Sequence, residues 1–152
     1  MWIDLSNGDL VSEVFRLPHE CSSPRAVLDE LGEELGATVV GLGLTVYDTG
    51  PEGEAQFRRL RTAYNRPSDA DVYAVVQALA TGARLVTGDR RTREAGEREG
   101  LAVAGLLWLL DELVGGNVIE PAAAAVALQT IREHGARLPD DECEARLRRW
   151  RS

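Results

Sequence analysis

The stretch 68–105, SDADVYAVVQALATGARLVTGDRRTREAGEREGLAVAG, decides how the chain is organised. Ser68, with Asp71 three positions on, resembles a capping box in which Asp takes the Glu role. Val72, Val75, Val76 and Leu79 then recur at helical spacing and give one buried face. Gly82 ends that helix. RLVT at 84–87 reads as a short strand of parallel type, and Gly88-Asp89 is the turn at its carboxyl end. A polar helix over 90–99 and a second strand, LAVAG at 101–105, complete the unit. Strands separated by helices of this length call for parallel pairing with helices on the faces. Ligands of such sheets bind at the carboxyl ends of the strands, where Asp89 falls.

The pattern extends in both directions. CSSPRAVLDELGEEL at 21–35 predicts a helix opened by two serines with a proline in its first turn. Its apolar face is Val27, Leu28, Leu31 and Leu35, and Glu30 lies at the edge of that face. LTVYD at 44–48 reads as a strand ended by TGPEG, and 54–64 as a helix with Phe57, Leu60 and Tyr64 inward. Residues 9–16 have helical spacing, and residues 1–5 read as a buried strand that starts late. Helices are expected at 106–114, 121–134 and 140–150. The expected fold is a three-layer α/β/α sandwich with a short parallel sheet and extra C-terminal helices. It forms one domain over 1–152, with an α/β core at 1–105 and a helical extension at 106–152.

Composition narrows the function. The 152 residues suit a single domain, and a hydrophobic fraction of 44% can supply its core. The net charge of −8 argues against binding polyanions through a bulk positive field. It leaves room for a nucleic-acid enzyme whose acidic cleft holds a cation. All 17 basic residues are Arg, which reads first as base composition and second as selection for forked phosphate binding. Cys21 and Cys143 stand far apart without metal spacing and read as free thiols of a reducing compartment. No apolar run reaches the roughly 20 residues a membrane span needs, and the N-terminus lacks the pattern of a signal peptide. A cytoplasmic, non-membrane protein is expected.

Three acids stand out by position: Glu30 beside a buried helix face, Asp71 in a first helical turn, and Asp89 at a strand's carboxyl end. Converging carboxylates are what Mg²⁺ or Mn²⁺ takes, and one or two such ions can activate water for phosphoryl displacement. Each acid also has a structural reading: Asp71 as a cap, Asp89 as a turn residue, Glu30 as one of several solvated acids.

The same residues resemble the PIN-domain family. An Asp at a helix start, an Ala/Leu-rich helix, and a hydrophobic strand ending Thr-Gly-Asp-Arg match Asp71, the helix through Leu79, and LVTGDR at 85–90. SPRAVLDEL at 23–31 is similar to the family's Pro-x-x-Val-Leu-x-Glu-Leu helix and puts Glu30 in its acidic slot. LLWLLDELV and the tail EHGARLPDDECEARLRRW resemble the C-terminal helices of one bacterial branch. The resemblance implies a Mg²⁺- or Mn²⁺-dependent endoribonuclease that hydrolyses RNA phosphodiesters with metal-bound water. It further implies the toxin of a toxin–antitoxin pair, a homodimer and an antitoxin partner. Glu30, Asp71 and Asp89 would hold the metal.

One family feature is missing. The first strand of the family carries a central metal-binding Asp, which would fall about three residues before Met1 on the family's pattern; Asp4 lies too far along and reads as a capping or turn acid. Either the start of the chain is assigned too late, or the chain is an inactive relative that works by protein association. That association module is the alternative to the nuclease. A small phosphohydrolase or receiver-like domain using Asp89 is a third class, weakened by the lack of a partner Lys.

Arg90 and Arg91, with Thr87, are candidate RNA contacts; a solvated helix face paired with Glu94 and Glu97 is the competing reading. Arg146, Arg148, Arg149 and Arg151 read as a charged surface helix, with a binding tail as the alternative. Residues 1–76 hold 6 Arg against 13 acids, and residues 77–152 hold 11 against 12, so RNA is expected to approach the second half. His19 and His134 read as surface histidines, and Leu107 and Trp108 as part of a buried face.

Overall fold

The computed structural model describes residues 1–152 and folds as two compact units. One is Glu20–Gly105; the other joins Met1–His19 to Leu106–Ser152. Residues 1–19 therefore group with the C-terminal helices rather than with residues 20–105. The class is α/β with parallel strands, as expected, together with the extra C-terminal helices.

The Glu20–Gly105 unit runs β1 (Ser22–Pro24), α3 (Arg25–Leu31), α4 (Glu33–Gly41), β2 (Thr45–Tyr47), α5 (Pro51–Ala63), α6 (Asp69–Thr81), β3 (Leu85–Val86), α7 (Arg90–Arg98) and β4 (Val103–Ala104). Its strands form two parallel pairs: β1 with β2, registering Ser23 on Val46, and β3 with β4, registering Leu85 on Val103. Strands of two or three residues offer few ladder bonds, so helix packing must hold them. Helix α6 supplies that packing, lying against α3, α5, α7, β1 and β3. Val72, Val75, Val76 and Ala78 of α6 form one buried cluster with Leu60 and Leu85. Leu79, expected with them, packs against that cluster only partly buried. Helix α7 closes on the strands at Gly96, where a Cβ would come within 3.0 Å of both Leu85 and Val103.

Two expectations are corrected. The single helix expected over residues 21–35 begins at Arg25 and breaks at Gly32 (φ 82°), which separates α3 from α4, and Ser22–Pro24 form β1 instead. The residue before a proline is kept out of helical geometry, and Pro24 itself is extended (φ −68°, ψ 152°). Proline suits this strand because β1 pairs on one side alone. The N-terminus, expected as a strand, is helix α1 (Trp2–Asn7). It buries Leu5, stacks Trp2 on Phe15 at 5.6 Å between ring centroids, and places Asp4 in its first turn.

After α1 and α2 (Val11–Val14), the second unit resumes with α8 (Leu106–Gly115), α9 (Pro121–Glu133) and α10 (Asp140–Arg151). Leu110, Leu113, Leu128 and Ile131 have no exposed surface. Helix α1 packs on α9, and Gly8 makes the contact close, since a Cβ there would lie 2.7 Å from Ile131 Cδ1. Asp111 of α8 accepts from Arg146 (2.7 Å) and Arg149 (2.6 Å) of α10. Those two arginines therefore brace the helices, while Arg148 and Arg151 stay exposed. His19 and His134 are exposed, Leu107 is buried and Trp108 is half-buried.

Just past α7, Glu99 accepts from Arg59 Nη2 at 2.6 Å and from the Tyr64 hydroxyl at 2.7 Å. Arg59 first, and Tyr64 second, hold the Glu99 carboxyl below its usual range. A depressed carboxyl contributes stability that is present above its unfolded pKa of about 4.3 and is lost as pH falls through the folded value. Glu99→Gln is therefore expected to flatten the decline of melting temperature below about pH 4.3. A melting series that declines as steeply as the parent's would remove Glu99 from the acid response.

Candidate active site

Thr87 and Asp89 are organised by local hydrogen bonds. Thr87, buried at the end of β3, makes its ladder bond from its own N–H to the Ala104 carbonyl at 3.0 Å. Its Oγ1 accepts the Asp89 N–H at 3.1 Å, which turns the chain through Gly88. Asp89 then caps α7: its Oδ2 accepts from the Thr92 N–H at 3.0 Å and from Thr92 Oγ1 at 2.7 Å. An acid is favoured at this end by the unpaired N–H groups and the helix dipole. Thr92, which no sequence pattern singles out, is fully buried and fixes the carboxylate. Thr92→Val keeps the backbone cap and removes one charged hydrogen bond. It is expected to cost about 1.5–3 kcal/mol, measured by denaturant unfolding.

Asp71 sits in the first turn of α6, half-exposed. Ser68 Oγ accepts the Asp71 N–H at 3.2 Å, so the Ser68 half of the expected capping box forms. Helix α6 packs against α7 and β3, and Asp71 and Asp89 stand at the starts of α6 and α7. Glu30 lies on α3, which also packs on α6, and is exposed. Arg90 pairs with Glu94 at 3.2 Å, whereas Arg91 is exposed and unpaired. Nearby, Arg93 Nε is buried without a hydrogen-bond partner. Its Nη2 lies over Gly105, where any Cβ would collide with it.

Asp71 thus lies on α6 itself, and Glu30 and Asp89 belong to α3 and α7, which pack against it. No group of three or more His, Cys, Asp or Glu side chains stands close enough to hold a metal ion. The donor chemistry suits a hard cation, but the donors are not gathered around one point.

A family model described as a PIN domain matches residues 2–152. The chain belongs to the PIN-domain family. No curated protein and no solved structure matches it. PIN domains are generally nucleases, so the architecture is of nuclease type. In this PIN domain no helix is long and apolar enough to cross a membrane, and both cysteines are free.

Proposed function

We propose that this PIN domain is a metal-dependent endoribonuclease that hydrolyses RNA phosphodiester bonds. Mg²⁺ or Mn²⁺ is the proposed cofactor, with Glu30, Asp71 and Asp89 as its ligands. The proposed setting is the cytoplasm, as a homodimeric toxin held by an antitoxin protein. What supports the reading, beside the family, is the placing of Asp71 and Asp89 at the starts of two helices packed together. Ligands of α/β folds gather at the carboxyl ends of strands, and Asp89 follows β3. No three of the chain's acidic side chains converge on one point.

The lack of a converged acidic group favours a second reading, a PIN-like module that works by protein association. Labelled RNA incubated with the chain in Mn²⁺, in EDTA, and with Asp89→Asn separates the two. Cleavage that needs the metal and Asp89 supports the nuclease. Intact RNA with a folded chain in Mn²⁺ favours the association module.

A further inference from the structure

A cavity of about 260 Å³ opens between residues 63–67, which join α5 to α6, and the outer face of α7. Arg66, Arg91 and Arg98 line it, together with Tyr64, Asn65 and Glu94. All three arginines are exposed, and none has an ion pair. The acids close to them are already engaged. Glu94 pairs with Arg90, and Glu99 is taken by Arg59 and Tyr64. A chain of net charge −8 therefore collects three uncompensated guanidinium groups around one hollow.

The wall is fixed before any ligand arrives. Arg61 donates to the Tyr64 carbonyl at 2.7 Å and pairs with Asp69 at 2.9 Å, which ties the 63–67 segment to both flanking helices. The Tyr64 hydroxyl is held by Glu99 at 2.7 Å.

We infer that this hollow anchors single-stranded RNA through its phosphodiester groups. The inference rests on the RNA-directed reading above. Guanidinium forks match phosphate oxygens in geometry and charge. Arg91 and Arg98 lie two turns apart on one helix face, about 10 Å along the axis, which suits binding to separate phosphates of one strand. The Tyr64 ring offers a surface for base stacking, and the Asn65 amide can both donate to and accept from a base edge. Arg91 is two residues past Asp89, so a strand anchored here runs beside the α7 start. An acidic protein segment would use the charges but has less use for the ring and the amide.

The test reads binding without chemistry. Fluorescence anisotropy of a labelled single-stranded RNA is measured in EDTA across a salt series. The parent is compared with the triple variant Arg66→Gln, Arg91→Gln, Arg98→Gln. The charge-matched control is Arg16→Gln, Arg58→Gln, Arg137→Gln, with folding of each checked by melting. The pocket variant is expected to bind about tenfold or more weakly, and its salt slope to fall by about 0.7 for each phosphate that is no longer neutralised. The control should bind like the parent. Equal losses in both variants, no loss in either, or no binding by the parent would overturn the inference. So would polyglutamate displacing the RNA from the parent at equal charge concentration, since that points to an acidic protein. Pocket-dependent binding without any cleavage in Mn²⁺ upholds the anchor while removing the nuclease.

Discussion

Asp89→Asn is expected to lower metal-dependent RNA cleavage by more than about 100-fold, beyond the 10–100-fold typical of groups that only support metal ligands. The same variant should melt close to the parent. Asparagine caps helices about as well as aspartate, and its side-chain oxygen can accept the Thr92 N–H that Asp89 accepts at 3.0 Å. Asp89→Ala removes the cap and also strands the buried Thr92 hydroxyl. It should lose activity and, in addition, about 0.5–2 kcal/mol of stability. Initial rates on labelled RNA in Mn²⁺, set beside unfolding curves, separate the roles. If Asp89→Asn cleaves as the parent does, Asp89 is a helix cap and the active site lies elsewhere.

Leu128→Ala is expected to cost about 2–5 kcal/mol, as for other fully buried leucines. Leu128 of α9 is completely buried, in the unit that also buries Leu110, Leu113 and Ile131. Natural domains are stable by only about 5–15 kcal/mol, so this one change removes a large share. Two positions earlier on the same helix, Val126 is 67% exposed. Val126→Ala should stay within about 0.5 kcal/mol of the parent. Equilibrium denaturant unfolding of the pair checks which face of α9 is inward. Equal small effects would mean that α9 does not pack through Leu128.

Much of the architecture is legible in the sequence because short-range rules govern it. Helix α6 begins one residue after Ser68, with the Ser68 cap formed, and ends at Gly82, whose φ of 71° is the left-handed geometry glycine allows. Pro121 opens α9 as its first residue. Positions 85–86 and 103–104 pair in parallel, as the helix between them requires. Asp89 is recognisable as a residue at a strand's carboxyl end. Its dual engagement with Thr92 is not, because a lone threonine on a polar helix gives no sign of burial.

The segments that depart from expectation are those where local pattern underdetermines the outcome. The apolar run at the N-terminus fits a strand or a helix equally well. What decides it is the packing of α1 on α9, where Gly8 meets Ile131 from more than a hundred positions away. Ser22–Pro24 resembles a helix start until Thr45–Tyr47 supplies a parallel partner.

The sequence by itself determined the α/β class, the periods and ends of the main helices, and the family. The class and the helices depend on residues within a turn or two of one another, and the family on short motifs in a fixed order along the chain. Only the tertiary structure decided which strands pair, that residues 1–19 join the C-terminal helices, and that Arg66 meets Arg91 and Arg98 across one hollow. These are long-range contacts. They arise when α6 packs against α5 and α7 and carries distant side chains together, and no local spacing encodes that meeting.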